Sequence, residues 1–245
     1  MSADVVEWDS LVYGIPVSQI GVFRVGNARQ AAAEYQAFEK WIYEEKIGIV
    51  SCRLAHDRLI ESMFLEARGF RFVEMVLHPT LEVLQERDFG SAGLNVERAT
   101  SADIAVLQNI AATAFGFERF HVDPRLDRRL ADERYGRWVV SSLGHPKQDL
   151  YKIQDGQRLV GFFLIEIGSD SSAYWHLTAI APDWQGQGYG RRVWTAMLAH
   201  CKSLGCGSVL TTISARNTPV LNLYSQLQFR FKPPEMTFHW IRGFE

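Results

Sequence analysis

A glycine-rich turn between two apolar segments has the composition of an anion-binding site. Apolar residues predict a buried strand over 173–180 before it, and apolar residues at helical spacing predict a helix over 191–204 after it. Glycine lets the backbone approach a phosphate closely, and a helix N-terminus adds unpaired N–H groups and a favourable dipole end. The turn therefore predicts a diphosphate site, formed by Gln185, Gly186, Gln187, Gly188, Tyr189, Gly190 and Arg191.

The pattern Gln-x-x-Gly-x-Gly is neither a Walker loop, which needs Gly-Lys-Ser/Thr, nor the Gly-x-Gly-x-x-Gly dinucleotide fingerprint. It resembles the coenzyme A pyrophosphate loop of the GNAT acyltransferase superfamily. After a strand predicted over 208–214, Asn217, Tyr224 seven residues later and Phe229 follow in the order typical of that superfamily, with Gln228 replacing its usual glycine. The alternative interpretation is an ordinary strand-to-helix turn.

The resemblance covers roughly residues 94–242 and implies an α/β (α+β) GNAT fold, with a mixed central sheet that contains a splayed strand pair. The expected domains are 1–91 and 92–245, the second being catalytic. The order of elements predicted in the second domain is a strand at 94–100, a helix through 104–111, a loop at 120–125, a helix containing Tyr135, and strands near 151 and over 159–167.

The N-terminal domain repeats part of this order. The string Phe-Arg-Phe at 70–72 recurs at 229–231, and the preceding elements correspond as well. We interpret residues 1–91 as a degenerate copy of half of a GNAT fold; chance recurrence is the alternative. The copy is expected to be inert, because Leu65 stands where Tyr224 would be. Its matching elements are a helix over 28–45, a strand over 47–53 and a helix over 59–67.

Acyl transfer from a thioester to an amine needs a neutral amine, a stabilised oxyanion and protonation of the leaving thiolate. By resemblance, the strand end formed by Thr178, Ala179 and Ile180 holds the acyl carbonyl through backbone N–H groups. Tyr224, neutral at pH 7, is the expected acid, with a structural tyrosine as the alternative. Asn217 and Tyr224 are counted among the residues that bind the coenzyme.

His176 is the expected base, because it lies two residues before Thr178 and is expected on the same face of the strand. Glu166 competes for this role, a chain of water molecules could replace both, and a buried structural histidine is the alternative. His200 and His239 are expected to be structural.

The expected acceptor-binding residues are Arg119, Phe120, His121 and Arg125, since arginines suit phosphates and aromatic rings suit a nucleobase. The alternative is a solvated face in which Asp123, Asp127 and Asp132 pair with the arginines. Further strings resemble the bacterial dTDP-fucosamine acetyltransferases, which implies a dTDP-linked amino sugar and a role in cell-surface polysaccharide biosynthesis. These strings are Trp8-Asp9-Ser10, Tyr13-Gly14, Arg119-Phe120-His121-x-Asp123-Pro124-Arg125 and Tyr135-x-x-Trp138-Val139.

The sequence thus predicts an N-acyltransferase that moves an acetyl or other short acyl group from acyl-CoA by direct attack. Neither Cys201 nor Cys206 is expected near the thioester, so no acyl-cysteine intermediate is predicted. The alternatives are an enzyme for another amine (an aminoglycoside, a polyamine or a protein N-terminus) and a non-catalytic coenzyme A sensor. The 245 residues have 47% hydrophobic content, an ordinary globular composition, and the net charge of −2 gives no reason to expect a nucleic acid or membrane partner. Because the N-terminus lacks a charged start with an apolar core and no apolar run is long enough to span a bilayer, we expect a cytoplasmic protein. The three cysteines have no metal-ligand spacing, so no metal is expected, and a homodimer is possible because closed twofold assemblies are common.

Overall fold

The computed structural model describes residues 1–90 and 92–244. The strands are β1 (Ser2–Val5), β2 (Val17–Val22), β3 (Ile49–Ala55), β4 (Arg71–Leu81), β5 (Asn95–Arg98), β6 (Gln148–Asp155), β7 (Arg158–Ile167), β8 (Ser172–Ile180), β9 (Ser208–Thr211), β10 (Ile213–Ser214) and β11 (Arg230–Ile241). The helices are α1 (Glu7–Tyr13), α2 (Ala28–Glu44), α3 (Leu59–Glu66), α4 (Ile104–Ala114), α5 (Arg119–Val122), α6 (Arg128–Ser142), α7 (Tyr189–Ser203) and α8 (Thr218–Gln226).

Two compact units share this chain. The first consists of Met1–Val76, Arg119–Leu130 and the segment from Pro233 onward, and the second consists of Leu77–Glu118 and Ala131–Lys232. Both units are discontinuous in sequence, so neither coincides with the contiguous ranges 1–91 and 92–245. As domains these two ranges stay a prediction, and their last residues, Ser91 and Glu245, lie outside the described residues.

In the first unit, β2 and β3 are parallel, β1 is antiparallel to β2, and β11 is antiparallel to β3. Helix α2 begins where Asn27 caps it, because the Asn27 side chain accepts a hydrogen bond from the Arg29 N–H at 2.9 Å. One face of the sheet is apolar and packs into a core with the helices. This core includes Ile20, Tyr35, Phe38, Cys52, Phe70, Phe238 and Trp240.

The second unit contains a mixed sheet in the order β4–β9–β8–β7–β6–β5, in which only the β8–β9 pair is parallel. A core lies on each face. The Trp175 core contains Phe163, Ile165, Trp175, Trp194 and Tyr224, among others. The Leu177 core contains Leu107, Val139, Phe162, Leu164 and Leu177, among others. The predicted α/β class with a mixed central sheet is confirmed.

The elements β2, α2, β3, α3 and β4 follow the same order as β8, α7, β9, α8 and β11, except that the short strand β10 comes after β9. The interpretation of residues 1–91 as a degenerate copy stays a prediction, and that prediction did not include β2. The turns after α3 and α8 match in detail. Phe70 N–H donates to Leu65 O at 3.2 Å, and Phe229 N–H donates to Tyr224 O at 2.9 Å. Gly69 and Gln228 both have positive φ, 83° and 63°. Gln228 therefore keeps the left-handed geometry of the glycine that it replaces, and its side chain accepts a hydrogen bond from Arg87 at 3.0 Å.

The final strands of the two copies exchange partners. The strand that ends the first copy, β4, pairs antiparallel with β9 of the second copy through Thr80 and Leu210. The strand that ends the second copy, β11, pairs antiparallel with β3 of the first copy. Each copy is therefore completed by the last strand of the other.

Several predicted elements differ from the structure at their ends. The predicted loop 120–125 contains the short helix α5, the strand expected at 47–53 runs from Ile49 to Ala55, and the strand expected at 208–214 is divided into β9 and β10. Helix α7 begins at Tyr189, two residues before the predicted start, because Gly188 with φ of 79° already turns the chain into the helix. The elements β1, α1 and β2 were not predicted.

Candidate functional site

The glycine turn leads directly into α7 in the second unit. Gly186 and Gly188 have φ of 72° and 79°, and beyond the two chain neighbours of each glycine no atom of the described residues lies within 4 Å of where their Cβ atoms would stand. The space above the turn is therefore open, and the first N–H groups of α7 have no partner within the helix. Because α7 begins at Tyr189, Gly190 belongs to its first turn and contributes to the same set of N–H groups.

Side-chain contacts fix the position of this turn. The Tyr189 hydroxyl donates to Asp155 Oδ2 at 2.8 Å, and Arg192 Nη1 lies 3.2 Å from the same oxygen. Gln185 donates its side-chain amide to Ile180 O at 3.1 Å, and Gln187 donates to Asp183 O at 2.6 Å. The turn is thus held by its own side chains, while its backbone stays open to a ligand.

Strands β8 and β9 separate within the sheet. Their parallel pairing runs from Ser172 and Ser208 to Trp175 and Thr211, where Thr211 Oγ1 also donates to Trp175 O at 2.8 Å. Beyond this point β8 continues for five residues against β7, whereas β10 pairs with β4. The predicted carbonyl-binding residues Thr178, Ala179 and Ile180 lie in this separated part of β8, so its edge toward β9 offers backbone groups to a ligand.

A β-bulge lies at the same place. Leu164 pairs with Leu177 and Ile165 pairs with Trp175, which leaves His176 as an extra residue in β8. As a result, Trp175 lies in the Trp175 core, whereas Leu177 lies in the Leu177 core on the other face.

The bulge contradicts the expectation that His176 and Thr178 share a face. Thr178 pairs with Phe163 and so faces the side of the Trp175 core, whereas His176 contacts Tyr174 and Trp138 on the side of the Leu177 core. The prediction assumed that side chains alternate strictly between the two faces along the strand. One inserted residue reverses the face on which every later side chain lies.

Tyr224 lies on α8 and is 1% exposed, in the Trp175 core. Its burial raises the pKa of the phenol, and the nearby polar side chains of Trp194, Thr178 and Thr211 act in the opposite direction. Thr211 belongs to the last paired position of β9 and Thr178 to the separated part of β8. The hydroxyl of Tyr224 is therefore located where the strands part, and it is protonated at neutral pH.

His176 and Glu166 form a pair on the opposite face of β8. His176 Nε2 lies 3.3 Å from Glu166 Oε2, and the two side chains are 19% and 31% exposed. Burial lowers the pKa of His176 from its usual value, Glu166 acts to raise it, and His145 acts to lower it. At neutral pH the imidazole is therefore neutral, and when its Nε2–H donates to Glu166, Nδ1 is available to accept a proton.

Asn217 caps α8 in the structure. Its side chain accepts a hydrogen bond from Val220 N–H at 3.4 Å. This contact gives the residue a structural role at the start of the helix that carries Tyr224. Its assignment to the coenzyme site stays a prediction.

The four predicted acceptor residues belong to the first unit: Arg119, Phe120, His121 and Arg125. The predicted catalytic and coenzyme-binding residues all belong to the second unit. Arg125 pairs with buried Asp123 through Nε at 2.9 Å and Nη2 at 2.8 Å. Arg119 lies 3.9 Å from buried Asp9 and 4.6 Å from the ring of Phe120.

The Asp123 carboxylate also contacts His239 Nδ1 at 2.9 Å, and Phe120 stacks on the His239 ring at 5.5 Å. Burial acts to raise the pKa of Asp123, but hydrogen bonds from His239 and Arg125 hold it well below its usual range. Burial lowers the pKa of His239 to about 4. The alternative interpretation expected Asp123 to pair with the arginines on a solvated face; Asp123 does pair with Arg125, but in a buried cluster that also contains His239.

Two residues near His176, Trp138 and Tyr174, were not predicted as site residues. For Trp138 the sequence offered two signals: its helical spacing from Tyr135, which places both on one side of α6, and its place in the string Tyr135-x-x-Trp138-Val139. In residues 1–90 and 92–244 no group of three or more His, Cys, Asp or Glu side chains is placed to hold a metal ion. Within the same residues, no helix combines the length and apolar character needed to cross a membrane.

Comparison with known proteins identifies the family. The acetyltransferase (GNAT) family model matches residues 106–229, just over half of the chain. The chain belongs to the GNAT family. The match begins in α4 and ends at Phe229, so it includes the glycine turn, the β8–β9 separation and Tyr224 of this GNAT chain.

Among curated proteins, this GNAT chain is similar to a mycothiol acetyltransferase of Rhodococcus jostii, with 32% identity over 142 residues, 56% of this chain and 45% of the relative. It spans less than half the length of the curated relatives that it matches. The resemblance to dTDP-fucosamine acetyltransferases therefore stays a prediction.

Two solved structures share the fold of this GNAT chain. A GCN5-related N-acetyltransferase from Sphaerobacter thermophilus has a TM-score of 0.68 at 15% identity and covers 98% of this chain and 76% of its own. A tandem GNAT protein from the clavulanic acid biosynthesis pathway has a TM-score of 0.61 at 13% identity and covers 94% of this chain and 76% of its own. At these identities the likeness concerns the fold alone.

Proposed function

We propose that this chain is an N-acyltransferase that transfers an acetyl or other short acyl group from acyl-CoA to a primary amine by direct attack. One observation carries the proposal: the β8–β9 separation has Tyr224 on one face and the His176–Glu166 pair on the other, and the glycine turn follows β8. Family membership agrees with this chemistry.

The glycine turn suits the diphosphate of the coenzyme. The N–H groups of the turn and of the first turn of α7 are donors, and the helix dipole favours negative charge there. Arg191, exposed at the start of α7, adds a positive charge. The backbone edge of β8 at 178–180 then provides N–H donors for the thioester carbonyl.

The two faces of β8 divide the proton transfers. His176, neutral at pH 7, takes a proton from the incoming amine, and Glu166 stabilises the imidazolium that forms. The amine nitrogen attacks the thioester carbonyl, and the oxyanion is stabilised by N–H groups of β8. Tyr224 then protonates the thiolate as the C–S bond breaks. A base and an acid on opposite faces suit this reaction, because the nucleophile and the leaving group occupy different sides of the tetrahedral carbon.

For the acceptor, we propose a dTDP-linked amino sugar, supported by the sequence strings and by the charge of Arg119. A second candidate is an acceptor like that of the mycothiol acetyltransferases, which the similarity to those relatives favours. The pairing of Arg125 with Asp123 also favours it, because a guanidinium already engaged by a carboxylate binds a phosphate less readily.

The test is an acyl-transfer assay with acetyl-CoA and longer acyl-CoAs. The acceptor panel contains a dTDP-amino sugar, the free amino sugar, an aminoglycoside, a polyamine and the substrate of the mycothiol acetyltransferases. Thiol release and the product mass are measured. We expect release with the dTDP-amino sugar and little with the free sugar. Equal acylation of both contradicts the nucleotide-sugar proposal. Coenzyme A binding without release on any acceptor contradicts the enzyme proposal and favours the sensor.

A further inference from the structure

Two aromatic rings flank His176 on the face of the sheet where Glu166 of the neighbouring strand β7 also lies. The ring of Tyr174 lies 4.9 Å from the His176 ring, and that of Trp138 lies 5.8 Å from it. Tyr174, Trp138, His176 and Glu166 are all half-buried. This aromatic and acidic group is thus partly accessible to solvent, on the face opposite Tyr224.

Hydrogen bonds at their polar ends hold both rings in place. Trp138 Nε1 donates to Gln148 Oε1 at 3.3 Å, and the Tyr174 hydroxyl lies 3.2 Å from Thr212 Oγ1. The polar groups are therefore satisfied, and the ring faces are fixed beside His176. A ligand that binds there does not have to order these side chains, so less binding energy is lost.

The charge of this group favours a cation. Glu166 carries a negative charge, His176 is neutral at pH 7, and aromatic faces attract cations. The guanidinium of Arg134 lies 5.4 Å from the Trp138 ring centre, so this ring already has one cation beside it. Tyr174 and Glu166 are then the principal partners for a second cation.

We propose that Glu166, Tyr174 and Trp138 form the acceptor subsite and that the acceptor enters it as a protonated primary amine. The inference rests on the proposed N-acyltransferase function, and it defines the acceptor by the ammonium group that it presents. Glu166 and the two rings hold the ammonium until His176 takes one of its protons and the freed lone pair forms the new C–N bond.

The proton balance follows from this sequence. Of the three ammonium protons, one stays on the amide nitrogen, and one replaces the proton that Tyr224 gives to the thiolate. The third is released to solvent through His176. The C–N bond forms first, and the C–S bond breaks when the tetrahedral intermediate collapses, so the transfer balances without an oxidant, a reductant or a covalent enzyme intermediate.

The test compares glucosamine with glucose, its uncharged hydroxyl analogue, by NMR titration of the full-length protein. Glu166→Gln and Tyr174→Leu remove the proposed contacts. Glu133→Gln, at an exposed carboxylate of α6, is the control for loss of charge. Phe115→Leu is the control for ring loss, because Phe115 stacks on Tyr135 beside the Leu177 core. We expect glucosamine to bind at least about tenfold more tightly than glucose in the wild type and in both controls.

In Glu166→Gln the preference should fall to within about threefold, and Tyr174→Leu should weaken glucosamine more than glucose. Equal binding of the two sugars, no binding of either, or an unchanged preference in Glu166→Gln overturns the subsite. Thiol release is measured on the same samples with the acceptor panel. If thiol is released but glucosamine is not preferred over glucose, the subsite is rejected and the enzyme proposal stands. If glucosamine is preferred and the preference falls in Glu166→Gln, but no acceptor gives thiol release, only the enzyme proposal is rejected.

Discussion

At the scale of single residues, the position of His176 as an inserted residue decides which groups act together. Without the bulge, His176 and Thr178 would share a face, and the proposed base would lie beside the proposed acid. With it, His176 pairs with Glu166 on one face, and Tyr224 lies in the Trp175 core on the other. The bulge at His176 directly follows Trp175, the last residue of β8 that pairs with β9. The side chains on the two faces of β8 are therefore close to the same position along the strand.

Replacing Tyr224 with Phe tests the acid. The variant keeps the ring packing against Phe229, whose centre lies 4.8 Å away, and removes only the hydroxyl. We expect turnover to fall about 10²-fold with little change in acyl-CoA affinity, because protonation of the thiolate is lost. Steady-state kinetics and calorimetry measure the two quantities. Wild-type turnover would show that Tyr224 is structural.

The pH dependence of acyl transfer tests the base. His176 acts as a neutral imidazole, so kcat/KM should fall as the pH drops through its pKa, which burial lowers from the usual value. In Glu166→Gln the raising effect of the carboxylate is lost, so this limb should move to lower pH. His176→Gln should remove the limb and lower turnover by about 10²-fold. A limb that is unchanged in His176→Gln assigns the base to another group.

At the scale of elements, the turn before α7 and the exchanged final strands define the second unit. The turn depends on left-handed glycines, and α7 starts at Gly188 because that residue accepts a φ of 79°. Strand β4 pairs with β9 in the sheet. It also pairs with β10, which follows the point where the pairing of β8 with β9 ends. The separation of β8 and β9 is thus supported by a strand from the N-terminal half of the sequence.

Gly188→Leu tests the turn, with Gly205→Leu as a matched control. Both glycines have positive φ, 79° and 83°, and open space where a Cβ would stand, but Gly205 follows the C-terminal end of α7. Both variants should therefore lose similar stability. Only Gly188→Leu should weaken acyl-CoA binding, by about tenfold or more, because its side chain fills the space above the turn. Equal affinities of the two variants in calorimetry would reject the diphosphate assignment.

At the scale of the whole molecule, the segment Arg119–Leu130 belongs to the first unit although α4 and most of α6 belong to the second. In the first unit, hydrogen bonds connect Asp123 and Arg125 with His239, which lies more than 100 positions away in the sequence. Any role of Arg119 and Arg125 in acceptor binding therefore depends on this buried cluster as well as on their charge.

Arg119→Ala tests the predicted acceptor contact, and Arg129→Ala is its control. Arg129 also pairs with an aspartate, Asp127 at 2.8 Å, but its side chain is 89% exposed. If Arg119 binds the nucleotide diphosphate, its loss should raise the KM for the dTDP-sugar about tenfold or more and spare the KM for acyl-CoA. The control should behave like the wild type. An unchanged KM in Arg119→Ala leaves the arginine a structural role only.

The stability of the molecule should depend on pH through His239. Its pKa is about 4 in the folded protein and about 6.5 when unfolded, so the unfolded chain binds an extra proton between these values. The stabilisation is complete above about pH 6.5 and is lost as the pH falls toward 4. His239→Asn should be less stable at pH 7 and should show a shallower decline. Thermal unfolding at several pH values compares the two, and parallel declines would contradict the assignment.

The sequence by itself determined the features that depend on local chemistry. The glycine turn, the helical periodicity of α7 and α8, and the spacing of Asn217, Tyr224 and Phe229 were all apparent in the sequence, because periods of 2 and 3.6 residues and turn residues act over short distances. These signals were sufficient for the fold class and for the residues on each side of the turn.

Only the tertiary structure decided which of these residues face one another. The bulge at His176, the last pairing of Trp175 with Thr211 and the exchange of β4 and β11 depend on hydrogen bonds between distant strands. A shift of one residue in such pairing reverses every side chain beyond it and leaves the local pattern unchanged. The face of His176 and the engagement of Arg125 by Asp123 therefore could not be determined from the sequence alone.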